Sequence, residues 1–121
     1  MALDMPLATS RVRLRDVCDG TTWKPGELDT AKGSAISFWL EGLPENADLN
    51  NVKATLGGRK LRMLYLEPPN SAPTGVLAKL RRAPARQVNA GVTWEMPAGR
   101  APLVVRVGEK IAGEAVLEVK R

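Results

Sequence analysis

Apolar and polar residues alternate in short runs along much of this chain. Glycine or proline interrupts each run before an amphipathic helix of three turns can form. Period-two alternation turns one side of an extended segment toward a core and the other toward water. Arg11–Val17 predicts a strand with Val12 and Leu14 on one face and Arg11, Arg13 and Arg15 on the other. Asp19-Gly20 reads as a turn, and Thr22–Leu28, holding Trp23 and Pro25-Gly26, as an edge segment or loop. Ala35–Leu40 predicts a second strand, with Ile36, Phe38 and Leu40 on one face and Ser37 and Trp39 on the other.

The strongest local signal is Val52–Leu56, then Gly57-Gly58, then Arg59–Leu66. Two glycines between alternating runs suit a two-residue hairpin, whose turn needs positive φ. That register places Ala54 opposite Leu61 and Val52 opposite Met63 on a buried face. Thr55 then meets Lys60, and Lys53 meets Arg62, on the other. Glu67–Gly75 carries three prolines and reads as a loop, while Val76–Leu80 fits a short strand or a helical turn. Gln87–Val92 alternates again, with Val88, Ala90 and Val92 inward, and Pro97-Ala98-Gly99 is a turn. Leu103–Val107 and Glu114–Val119 form a closing hairpin around Gly108–Gly113, with Leu117 and Val119 in the core. The expectation is an all-β chain, an immunoglobulin-like β-sandwich of about seven strands over residues 11–121, behind a loose tail at 1–10.

With 121 residues the chain is sized for one domain and one core. It has no histidine and a single cysteine, Cys18. Those counts exclude a histidine general base, an internal disulfide and a cysteine zinc site within one chain. No P-loop, Gly-x-Ser-x-Gly or Ser-x-x-Lys motif occurs. The two carboxylates beside Cys18, Asp16 and Asp19, would raise its pKa and make the thiol inert. Glu41, Glu45, Asp48 and Asn50 lack EF-hand spacing and read as a solvated loop. Neither an enzyme nor a cofactor or metal site is therefore expected. Met1-Ala2-Leu3-Asp4-Met5-Pro6 does not read as a signal peptide, and no apolar run approaches the roughly 20 residues of a membrane span.

Charge sharpens the picture. The net +5 is uneven: residues 1–58 carry 6 basic and 8 acidic side chains, a net of −2, and residues 59–121 carry 12 and 5, a net of +7. A basic hairpin face of Lys53, Lys60 and Arg62, extended by Arg81, Arg82 and Arg86, is a candidate surface for an acidic polysaccharide. Nucleic acid is not favoured, because interleaved exposed aromatics are missing and only Tyr65 is near in sequence. The plainer account is a solvated sheet face whose charges deter strand pairing. Trp39 and Trp94 are candidate platforms for sugar rings or anchors for a protein partner, against the plainer role of plugging the sandwich ends.

Three stretches carry a resemblance: Gly33–Leu43, Val52–Gly58 with Leu64-Tyr65-Leu66, and above all Arg86-Gln87-Val88-Asn89-Ala90-Gly91-Val92-Thr93-Trp94-Glu95-Met96-Pro97 followed by Leu103–Gly108. Over roughly residues 30–119 the chain resembles bacterial immunoglobulin-like modules of the TIG/IPT type, found as uncharacterised C-terminal domains of surface and secreted proteins. It differs in having Thr93 where proline is frequent and a longer Asn70–Arg86 link. The resemblance implies an immunoglobulin-like fold, an extracytoplasmic setting and no catalytic residues. Taken together, the expected function is a non-catalytic interaction or spacer module. It would contact a protein partner or another copy of itself through a sheet face or edge, with carbohydrate or polyanion binding as the alternative.

Overall fold

The computed structural model describes residues 12–68 and 85–121. They hold nine strands: β1 (Arg13–Asp19), β2 (Glu27–Asp29), β3 (Ala35–Glu41), β4 (Val52–Leu56), β5 (Arg59–Lys60), β6 (Arg62–Leu66), β7 (Ala85–Gly91), β8 (Gly99–Val107) and β9 (Lys110–Lys120). The strands form two sheets, ordered β1-β3-β7-β6 and β2-β9-β8-β4-β5. The chain is thus all-β, with nine described strands where the alternation predicts about seven. The count rises because the predicted strand Arg59–Leu66 splits at Leu61 into β5 and β6, and because β2, only three residues long, forms at the end of the segment read as edge or loop. The tail at 1–10, the segment Val76–Leu80, and Arg81 and Arg82 lie outside the described residues.

One core joins the sheets. Ile36, Phe38, Leu40, Val88 and Ala90 face inward from the first, and Val52, Ala54, Leu56, Leu103, Val105, Val107, Leu117 and Val119 from the second. Each large aliphatic or aromatic side chain among them contributes about 1.5–3 kcal/mol by leaving water. Trp39 faces outward, as the alternation of β3 requires. β2 lies parallel to β9, tied by Glu118 N donating to Gly26 O at 2.9 Å and Thr30 N donating to Lys120 O at 2.9 Å.

The predicted glycine hairpin forms only at its tip. Gly57 and Gly58 have φ of 60° and 83°, Thr55 pairs with Lys60, and Leu61 N donates to Ala54 O at 2.9 Å. Beyond Leu61 the chain leaves for the other sheet, so the pairs Val52–Met63 and Lys53–Arg62 do not exist. Arg62 lies opposite Gly91 instead, and Met63 opposite Ala90. The cause lies in Met63-Leu64-Tyr65-Leu66, four apolar residues with no alternation to hold them on one face. A bulge between Met63 and Tyr65 packs Met63 and Leu66 on the core beside β7. The closing hairpin departs from expectation in the opposite sense. Its strands run longer, Gly99–Val107 with Lys110–Lys120, and its turn shrinks to Gly108-Glu109.

Candidate binding surfaces

The loop between β1 and β2 is fixed by a buried charge. Asp19, fully buried, accepts from Thr21 N (2.6 Å), Thr22 N (2.9 Å) and Asp29 N (2.6 Å) through its carboxylate. Its backbone closes the loop as well: Asp19 N donates to Lys24 O, and Trp23 N donates to Asp19 O, both at 3.0 Å. This closure puts Trp23 at φ 62°, the only non-glycine residue with positive φ among those described. Such a conformation costs an L-residue about 1–2 kcal/mol. Trp23 is nonetheless 54 % exposed, so the strain holds an indole ring out in water.

That ring does not stand alone. Trp39 projects from β3 beside it, the centroids 6.3 Å apart and the planes tilted by 44°. A cleft of about 420 Å³ opens there, with Pro25, Val17 and buried Cys18 as further lining and Arg15 and Asp16 as its polar groups. Arg15 Nε lies 3.6 Å from Asp16 and 3.5 Å from Glu41, so one guanidinium meets two carboxylates and the polar side is not basic. Burial pushes the Cys18 thiol above its usual value, and the carboxylates of Asp19 and Asp16 push the same way.

The outer face of the second sheet gathers a different chemistry. Lys53 of β4 lies directly opposite Arg106 of β8, with Lys60 on β5 close by. The three line a cavity of about 300 Å³ with Thr55, Leu61 and Met63. Like charges directly opposed repel, and no ion pair forms on these three within the described residues. Across the sheet the character changes. Pro102 faces Val116, which is 60 % exposed, Arg106 faces Ile111, and Val104 faces Glu114. Glu118 lies opposite Arg100 of β8, and with Glu114 it puts two carboxylates on an outer β9 face that also carries Val116 and Lys120.

The expected site residues are therefore divided. Lys53 and Lys60 come together, and Arg106 takes the place expected for Arg62, which belongs to the first sheet. Arg86 serves the fold: its Nε donates to Glu67 O (2.7 Å) and its Nη1 to Pro44 O (3.1 Å), pinning two loops to β7. Burial lowers the pKa of this guanidinium against the opposing pull of Glu67 and Glu45, and it stays charged at neutral pH. Trp94 and Trp39 line separate cavities. Trp94 packs on the core with the Arg59 guanidinium 4.9 Å above its ring. Asp48, read as part of an acidic loop, caps the short 3-10 turn Leu49–Asn51, accepting from Asn50 N at 2.9 Å.

Sequence reasoning missed Trp23 and Arg106. The alternation of Leu103–Val107 already turns Arg106 outward, but its neighbour across the sheet depends on strand order. For Trp23 the available signal was Asp19 followed by Thr21 and Thr22, a run able to clamp a loop on one carboxylate. No family model matches the chain, and no curated protein or solved structure matches it either.

Proposed function

We propose that the chain is an immunoglobulin-like β-sandwich of the TIG/IPT kind, acting as a non-catalytic interaction module that contacts a second copy through the outer face of its second sheet. Strand order supports the fold reading. In sequence order, β1-β3-β7-β6 corresponds to the A-B-E-D sheet of immunoglobulin domains, and β9-β8-β4 to G-F-C, with β5 and β2 added at its edges.

The observation that carries the contact is the outer face of the second sheet. Val116, 60 % exposed, alternates with Glu114 and Glu118 along β9, with Ile111, 50 % exposed, further along the same strand, while Lys53, Lys60 and Arg106 lie across the sheet on β4, β5 and β8. A two-fold axis running along β8 lays Lys53 and Lys60 of one copy over the Glu114 and Glu118 strand of the other and covers Val116 there, a self-complementary arrangement. Sedimentation velocity tests it. The mass of the wild-type chain should rise toward that of a dimer with concentration, less so at high salt. Val116→Glu should remain a monomer with an unchanged circular dichroism spectrum. A monomeric wild type throughout, or a dimer untouched by Val116→Glu, contradicts the proposal.

A second reading rests on Lys53 opposite Arg106, which suits a polyanion such as an acidic polysaccharide. Heparin chromatography at low salt separates the two. The dimer reading predicts flow-through. Retention that falls steeply with salt and disappears in Lys53→Glu favours the polyanion.

A further inference from the structure

We infer that the cleft between Trp23 and Trp39 binds a neutral saccharide. The cleft lies on the first sheet, away from the outer face of the second, so the inference does not depend on the dimer. Its volume of about 420 Å³ falls in the range of small-ligand sites, about 300–1,000 Å³. Two indoles with Pro25 give an apolar wall, and the 44° tilt between the rings leaves them splayed rather than stacked shut. The C–H face of a pyranose packs on such a wall, as apolar groups do on aromatic faces.

Ring hydroxyls need both donors and acceptors, and the polar side supplies them as the Arg15 guanidinium and the Asp16 carboxylate. Glu41 beside Arg15 makes that side no better than neutral toward an anion, which separates this cleft from the basic face around Lys53. A sulfated or uronic-acid polymer is disfavoured here, and a neutral sugar fits.

The strain at Trp23 points to use. A glycine at that position would relieve the positive φ, and the exposed indole returns little packing for its conformation. Asp19 holds the loop from beneath, so the ring is set before any ligand arrives, which reduces the ordering cost of binding. Backbone strain kept at an exposed aromatic is typical of a ligand clamp.

Affinity gel electrophoresis tests the assignment, with hydroxyethylcellulose, amylopectin or galactomannan cast in the gel and dextran sulfate as the anionic control. The wild-type chain should be retarded by at least one neutral polymer. Trp23→Gly should lose that retardation at least tenfold while unfolding at the same or a higher urea concentration than wild type, because only the ring and its strain are removed. Trp94→Phe and Val116→Glu should be retarded like the wild type, which keeps this test separate from the dimer proposal. Passage through all three neutral gels without retardation overturns the inference. So does retardation that survives in Trp23→Gly, or retardation by dextran sulfate alone.

Discussion

Asp19 is a fully buried carboxylate whose two oxygens accept three backbone N–H groups. Each such bond to a charged acceptor contributes about 1.5–3 kcal/mol, and the three share one group, so they do not add in full. Asp19→Ala should therefore cost about 3 kcal/mol in urea unfolding and free Trp23 from its left-handed conformation. A loss below roughly 1 kcal/mol would show that the carboxylate does not hold the loop. Cys18 sits beside it, buried, with a raised pKa. A thiol whose folded pKa lies above its unfolded value keeps its full contribution below the unfolded value, near 9.0, and loses it as pH rises through the folded one. The Lys120 ammonium, held up by its 2.8 Å bond to Glu27, acts in the same sense at higher pH. The thermal midpoint should thus be flat from about pH 7 to 8 and fall above about 9. Cys18→Ala should fall less steeply over that alkaline range, and an identical slope would exclude the thiol.

Among the elements, long regular strands were legible and short or broken ones were not. Ile36, Phe38 and Leu40 alternate cleanly, and β3 buries all three. The tip of the glycine hairpin was legible for the same reason: Gly57-Gly58 selects the turn and fixes Thr55 against Lys60. Turn chemistry governs only the nearest pairs. At Leu61 the open side of β7 competes with β4 for the next strand, and Met63-Leu64-Tyr65-Leu66 holds no period to resist it. The basic face suffered directly, since Arg62 left with β6 and Arg106 was supplied by a strand over forty residues away. Packing between elements was equally hidden. Gly113 of β9 leaves room for Leu14 of β1, and a Cβ there would lie 2.5 Å from the Leu14 Cβ. Gly113→Ala should cost about 1–3 kcal/mol in urea unfolding, whereas Leu14→Ala combined with Gly113→Ala should cost less than the two separately. Additive losses would show that the two strands do not press together at this point.

At the scale of the whole molecule, both proposed surfaces depend on which strands are neighbours. The tryptophan cleft needs β1 beside β3, which brings Asp16 against Trp39 and closes the Asp19 loop under Trp23. The outer face of the second sheet needs β4, β8 and β9 in that order, so that Lys53 and Lys60 lie on one side of it and Glu114, Val116 and Glu118 on the other. The two sheets take these orders with the chain changing sheets after Leu61, which puts β6 beside β7 instead of prolonging the hairpin on β4. Interstrand nuclear Overhauser effects read this crossing directly, since residues paired across antiparallel strands bring their backbone protons close together. The account predicts cross-peaks between the backbones of Met63 and Ala90 and none between Met63 and Val52. Cross-peaks from Met63 to Val52 would return Arg62 to Lys53, take β6 from the edge of the first sheet to the second and contradict the crossing and the strand order drawn from it.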